Sequence, residues 1–380
     1  MPQFQIKPKH FYQLISFAFC TFLSITVSAQ SKDALTSILR SELNREMEEL
    51  KNAGTPPYYL DYRVDDMQNA SVKSSFGSLM ESQIERKRIL TTRVRVGDYD
   101  FDNTHENSKF DANTSQRFSF PMILPYDDSA AAITHVLWES TQLNYRIAKE
   151  MLTAIKSMRD SKVSSSDGSL DFSKETPQQY YEPKLEPIEK VLNKKDWEER
   201  VKKYSAVFTK NKDIVTAEVT LLVDRNRKYF ENTEGTSIVQ NESACNLYIF
   251  SRIRTEDGDV LPLYKTYYAN VPDSLPNDEV VLKDIEILIA KLVKLQHAPL
   301  ADPFSGPAIL NAKAAGVFFH EIFGHRIEGH RMKSQEDGQT FLNKVNQRVL
   351  LKTLNVYCDP TINEYEGAKL NGFYKYDDEG

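Results

Sequence analysis

Apolar residues at Leu35, Ile38, Leu39, Leu43 and Met47 keep the spacing of one helix face across residues 33–51, with charged residues between them. That pattern predicts an amphipathic helix. Alternation then takes over. PPYYLDYRVDD, ASVKSSFGSLMES and KRILTTRVRVGDYDF each place apolar side chains at about every second position between turn residues, as strands of one antiparallel sheet do. Residues 127–160 contain no proline or glycine and open on Asp and Ser residues suited to an N-cap, which predicts one long helix. His135 on it reads as a structural or surface histidine. Residues 213–270 alternate again at Val215, Ala217, Val219 and Leu221. They predict at least four strands of a meander, turning at Glu234 and Gly235 and at Asp257 and Gly258. Arg225, Arg227 and Lys228 read there as a solvated strand end. A last amphipathic helix, NDEVVLKDIEILIAKLVKLQ, uses Val280, Ile285, Ile287, Leu288 and Leu292.

Strands and long helices mixed in this order define an α+β fold with antiparallel sheets. At 380 residues the chain is too long for one typical core, and four divisions are expected. These are a leader (1–29), an α+β domain (30–125), a middle domain of long helix, linker and β-meander (126–300), and the start of a further domain (301–380). Residues 161–179 are polar and poor in large apolar side chains, as a linker or loop is. The chain closes on LNGFYKYDDEG, where Asn371 and Gly372 signal a hairpin, so a longer protein is expected.

The leader has Lys7 and Lys9, an apolar run of about 17 residues, and small residues before a cleavage point after Ala29. It reads as a secretory signal, with an uncleaved anchor as the alternative, and implies a periplasmic or secreted protein. Cleavage leaves Cys245 and Cys358, either one disulfide or two separate buried thiols, and no disulfide framework. A net charge of -6, with acids spread along the chain, argues against a nucleic-acid surface. With no phosphate-cradling glycine loop and no G-x-S-x-G elbow, nucleotide-dependent and serine-hydrolase chemistry lack a foundation.

Chemistry concentrates in GVFFHEIFGHRIEGHRMK, which holds three of the seven histidines. His320 and His325 enclose H-E-x-x-x-H, one residue wider than the zinc-peptidase helix H-E-x-x-H. Residues four apart on a helix sit about 40° from each other, whereas residues five apart sit about 140° apart and cannot share an ion. The spacing therefore predicts a helix irregularity across residues 322–324, either a π-bulge or an early helix end, with Gly324 as the permissive residue. Given that fault, the two imidazoles would ligate a divalent ion, most plausibly zinc, leaving a position for water whose pKa falls to about 7. Glu321 would take the proton from that water during attack on a peptide carbonyl and deliver it to the leaving amine. His330 reads as an inward ligand or as the solvated end of a helix. Glu328 would either orient a ligand imidazole or pair with Arg331. Cys358 is a thiolate ligand or a buried thiol.

At these residues the chain resembles the TldD/PmbA family of metallopeptidases. GPAILNAKAAGVFFHEIFGHRIEG (306–329) carries the resemblance, with weaker echoes in YFENTEGT (229–236) and YDDEG (376–380). The resemblance implies a zinc-dependent endopeptidase acting on unfolded or extended peptides, with His320 and His325 as ligands and Glu321 as acid/base. It also implies a homodimer, or a heterodimer with a TldD/PmbA-like subunit. The alternative role is a non-catalytic binding subunit of such a complex. The family's further ligand is a cysteine far downstream of the motif, which implies a third ligand beyond Gly380. Without that ligand, weak metal binding or inactivity is expected. Export departs from the cytoplasmic members.

Overall fold

The computed structural model describes residues 33–105, 121–160, 170–329, 331, 340–365, 368–370 and 374–380. The leader and His330 lie outside them. Among the described residues no helix is long and apolar enough to cross a membrane.

Four strands dominate: β1 (Pro57–Ser75), β2 (Ser78–Val96), β5 (Ile214–Asn232) and β6 (Ser237–Arg254). At about 3.3 Å per residue each extends roughly 60 Å. Short β3 (Met122–Leu124) and β4 (Gln179–Tyr181) and the longer β7 (Val260–Ala269) complete a seven-stranded sheet. Its order is β3-β2-β1-β5-β6-β4, with β7 also on β6. All pairings are antiparallel except β4 on β6. The fold is α+β, as the sequence predicts. The β1–β5 pairing, from Asp61 opposite Asn232 to Ser75 opposite Glu218, carries one sheet across the expected division at residue 125.

The long strands replace expected shorter ones. Three segments before residue 102 become two strands joined at Phe76 and Gly77. Both have positive φ (45° and 85°), as a two-residue hairpin turn requires. The meander likewise holds three strands rather than four, though Gly235 and Gly258 turn the chain where expected.

Period-two burial puts Leu60, Tyr62, Val64, Ala70 and Val72 of β1 on one face, with Ala217, Val219, Leu221, Val223 and Tyr229 of β5 beside them. Two helix layers cover this face end to end. Over one half lie α1 (Ala34–Leu50) and α2 (Ala130–Asp160), through Leu35, Leu39, Leu43, Ile133, Leu137 and Leu152. Following a single-turn α3 (Ile188–Val191), α4 (Lys194–Ala206) and α5 (Asp278–Gln296) cover the other half through Trp197, Val201, Val281, Ile285 and Leu292. Asp33 caps α1 and Asn277 caps α5, each side chain accepting a backbone N–H of the first turn. On α5 the structure buries Val281, Ile285, Leu288 and Leu292 and leaves Val280 and Ile287 exposed, a rotation of the expected face.

The sheet's other face is polar and half-exposed. It carries Arg63 on β1, Arg93 on β2, and Lys228 and Asn226 on β5. The supposed solvated strand end is not one. Arg225 and Arg227 are buried, and Arg227 donates to the Tyr229 hydroxyl, the Asn241 side chain and Asp33. His135 is exposed and stacks on Trp138.

Candidate metal centre

After α5 the chain runs through exposed residues into α6 (Ala312–Ile322), capped by Asn311, whose side chain accepts from the Ala314 N–H. Strong apolar periodicity predicts a buried face, yet no residue of α6 is buried. Val317, Phe318, Phe319 and Ile322 are all open to solvent.

The helix breaks where the histidine spacing demands it. Regular bonding ends with Phe323 N–H donating to Phe319 C=O at 3.0 Å. Phe323 then leaves the helical basin (φ -122°, ψ -50°), and residues Gly324–Arg326 form a tight 3-10 turn. Arg326 N–H donates to Phe323 C=O and Ile327 N–H to Gly324 C=O, three residues back. Of the two expected faults the structure contains the early helix end. The bend lies at Phe323, whose ring is buried against Phe319 and Phe341. Gly324 serves differently from its expected role, since its φ is not positive. A Cβ there would stand 3.5 Å from His320 Nδ1, an ordinary contact, so only a larger side chain would crowd that ring.

This turn brings the two imidazoles together, edge to face, with centroids 4.5 Å apart. One donor atom each from His320, Glu321 and His325 lie within 4.8 Å of one another. Bonds of about 2.0–2.1 Å need donors roughly 3.3 Å apart, so the side chains would have to close up around an ion. The two imidazoles are donors that zinc accepts, and the Glu321 carboxylate stands beside them. Glu321 is exposed, with a carboxylate oxygen 3.7 Å from His325 Nε2.

Glu328 touches both of its expected partners at once. One oxygen lies 2.7 Å from His325 Nδ1 and the other 2.6 Å from Arg331 Nε. The hydrogen bond to His325, with Arg331 assisting, holds the Glu328 carboxyl below the usual carboxylate range. With Nδ1 bound to a carboxylate, His325 is left to offer Nε2. Cys358 is exposed and unpaired rather than buried, and it is not among the groups gathered at the histidines. Cys245 is a separate thiol inside the sheet core, pushed up to about 12 by burial.

Fold and site together define an α+β protein bearing a two-histidine, one-glutamate cluster at a helix end. Residues 304–380 match the model of the PmbA/TldA metallopeptidase C-terminal domain, the segment that holds all three groups. Among solved structures the chain is similar to TldE from Thermococcus kodakarensis, at 12% identity and TM-score 0.40, over 69% of this chain and 47% of that one. It is also similar to candidate modulators of DNA gyrase from two bacteria. For Thermotoga maritima the identity is 14% and the TM-score 0.39, over 66% of this chain and 47% of that one. For Bacteroides thetaiotaomicron the identity is 16% and the TM-score 0.39, over 67% and 50%. This chain spans about half the length of those proteins. No curated protein sequence matches it.

Proposed function

We propose that the chain is an exported, zinc-dependent endopeptidase of the TldD/PmbA type that hydrolyses unfolded or extended peptides. The carrying observation is the helix end at Phe323, which puts His320 and His325 within reach of one ion despite their five-residue separation. Zinc held there supplies Lewis acidity and lowers the pKa of a water. His320 and His325 would hold it, while Glu328, bonded to His325 Nδ1, would fix the tautomer and orientation of that ring. Glu321, exposed beside both rings, accepts the proton of the attacking water and passes it to the leaving amine.

The apolar surface of α6 supports a partner subunit, a second copy or a TldD/PmbA-like chain, that covers Val317, Phe318 and Ile322.

Metal analysis after dialysis against zinc, with cleavage of an unstructured casein-type peptide, tests this reading. In the full-length protein, with the expected further ligand present, wild type and Glu321→Gln should both bind zinc, and only the wild type should cleave. Cleavage that survives Glu321→Gln, or zinc that binds equally well after His320→Ala and His325→Ala, overturns the reading. Zinc bound through the histidines without cleavage, even with a partner subunit, assigns the chain to the non-catalytic binding role instead.

A further inference from the structure

On the polar face of the sheet, three cations from adjacent strands converge on one short acidic turn. Arg93 of β2 is held from behind by Asp61 of β1, a carboxylate only 1% exposed, through Nε at 3.1 Å. That grip leaves the two terminal nitrogens of Arg93 facing outward. One donates to Glu379 Oε1 at 2.5 Å and the other to the Asp378 backbone carbonyl at 2.9 Å. Arg63 of β1 reaches Asp378 Oδ2 at 3.2 Å, and Lys228 of β5 donates to Asp378 Oδ1 at 3.4 Å. Both keep an acid of the sheet beside them, Asp65 and Glu242.

The bound segment has a defined shape. Asp377 accepts from the Glu379 N–H with its side chain and from the Gly380 N–H with its carbonyl, closing a tight turn. Gln240 of β6 donates to the Tyr376 carbonyl at 2.8 Å, and the Tyr376 ring lies against Tyr180. Gly380 has a φ of +79° and rests on the β5–β6 corner. A Cβ there would stand 2.8 Å from the Phe230 ring and 3.0 Å from Thr236. Position by position, the face accepts two carboxylates and then requires a glycine.

We propose that this face is a recognition site for acidic turns of the Asp-Asp-Glu-Gly kind, filled in cis by residues 377–380. Its determinants are charge-assisted bonds from a pre-oriented guanidinium, a second arginine and a lysine. The glycine seat over Phe230 adds shape selection that charge alone does not provide. A peptide with adjacent carboxylates followed by glycine is the ligand class, and the tethered turn competes with it at high effective concentration.

A fluorescent, end-blocked peptide of residues 374–380, titrated by anisotropy into the whole chain, tests the assignment. The double variant Asp378→Asn/Glu379→Gln, which weakens the tethered competitor, should bind the peptide at least about 10-fold more tightly than wild type. Adding Arg93→Ala to that variant, or valine for glycine in the peptide, should abolish binding. Equal affinity for wild type and double variant, or indifference to Arg93→Ala, overturns the proposal. If circular dichroism shows the variants unfolded, hydrogen exchange on the wild type decides. Protection at the Glu379 and Gly380 amides should fall as millimolar peptide is added, and exchange unchanged at saturation overturns the proposal.

Discussion

His325 Nδ1 and Glu328 Oε1 lie 2.7 Å apart, three residues from each other across the turn that ends α6. The contact commits one ring nitrogen to a carboxylate and leaves the other for a metal. Glu328→Gln keeps the shape but loses the charge that favours this tautomer, and Arg331 loses its anionic partner. The expected result is a 10- to 100-fold loss of zinc affinity, on the order found for carboxylates behind ligand histidines. Competition against a chromophoric chelator measures it. An unchanged affinity would mean that Glu328 serves only Arg331.

Gly324 gives a graded test of the same geometry. Its backbone is not left-handed, so alanine brings no backbone strain, and its Cβ would sit at ordinary contact distance, 3.5 Å, from His320 Nδ1. Gly324→Ala should bind zinc as the wild type does. Gly324→Val adds methyl groups toward the ring and should weaken binding roughly 10-fold by displacing His320. If alanine is as damaging as valine, conformational freedom at this position matters more than space.

What could be read from the sequence follows the range of the interactions involved. Helices α1 and α5 were legible because their apolar periodicity is local. The irregularity after His320 was legible because five residues at about 100° each cannot place two ligands on one face. Helix α4 was not. KKDWEERVKKYSA is mostly charged and buries little beyond Trp197, Val201 and Tyr204, so its apolar pattern is thin. The pairing of β1 with β5 depends on residues about 160 positions apart. Burial of Arg227 depends on Asp33, which lies on another element. The turn at Asp378 and Glu379 meets cations on three strands, each at least 150 positions away, and no local pattern announces that. The exposure of α6 has no local signature either, since an apolar helix face reads the same whether or not it is covered.

The β1–β2 hairpin offers a stability test away from the metal. Gly77 combines a φ of +85° with a Cβ position 3.1 Å from the Ala206 Cβ, and its N–H donates to Ser205 Oγ at 2.9 Å. Gly77→Ala meets both the backbone penalty and a tight contact with α4. A loss of about 1–2 kcal/mol is expected from the backbone alone, seen as a lower urea midpoint with unchanged slope. Zinc affinity should not change.

Buried Glu46 predicts a pH dependence with a definite sign. Its side chain is fully covered on α1, touching Arg45 and accepting from Gln142 Nε2 at 2.9 Å. Desolvation pushes its carboxyl up to about 7, with Arg45 pulling the other way and Glu42 adding to the rise. An unfolded glutamate titrates at about 4.3. Between those values the folded chain retains a proton that the unfolded chain has released, so stability falls as pH rises through the window. The contribution is fully present below about pH 4 and lost above about pH 7. Glu46→Gln keeps a neutral amide at every pH and can still meet Gln142. Relative to wild type it should change stability little near pH 4 and add about 1–3 kcal/mol at pH 8. Urea titrations of both proteins at pH 4, 6 and 8 give this difference directly, cancelling the other acids that titrate in both. A difference that stays constant from pH 4 to pH 8 would show that Glu46 ionises normally in the folded chain. A difference of the opposite sign would make Arg45, rather than burial, the dominant influence on it.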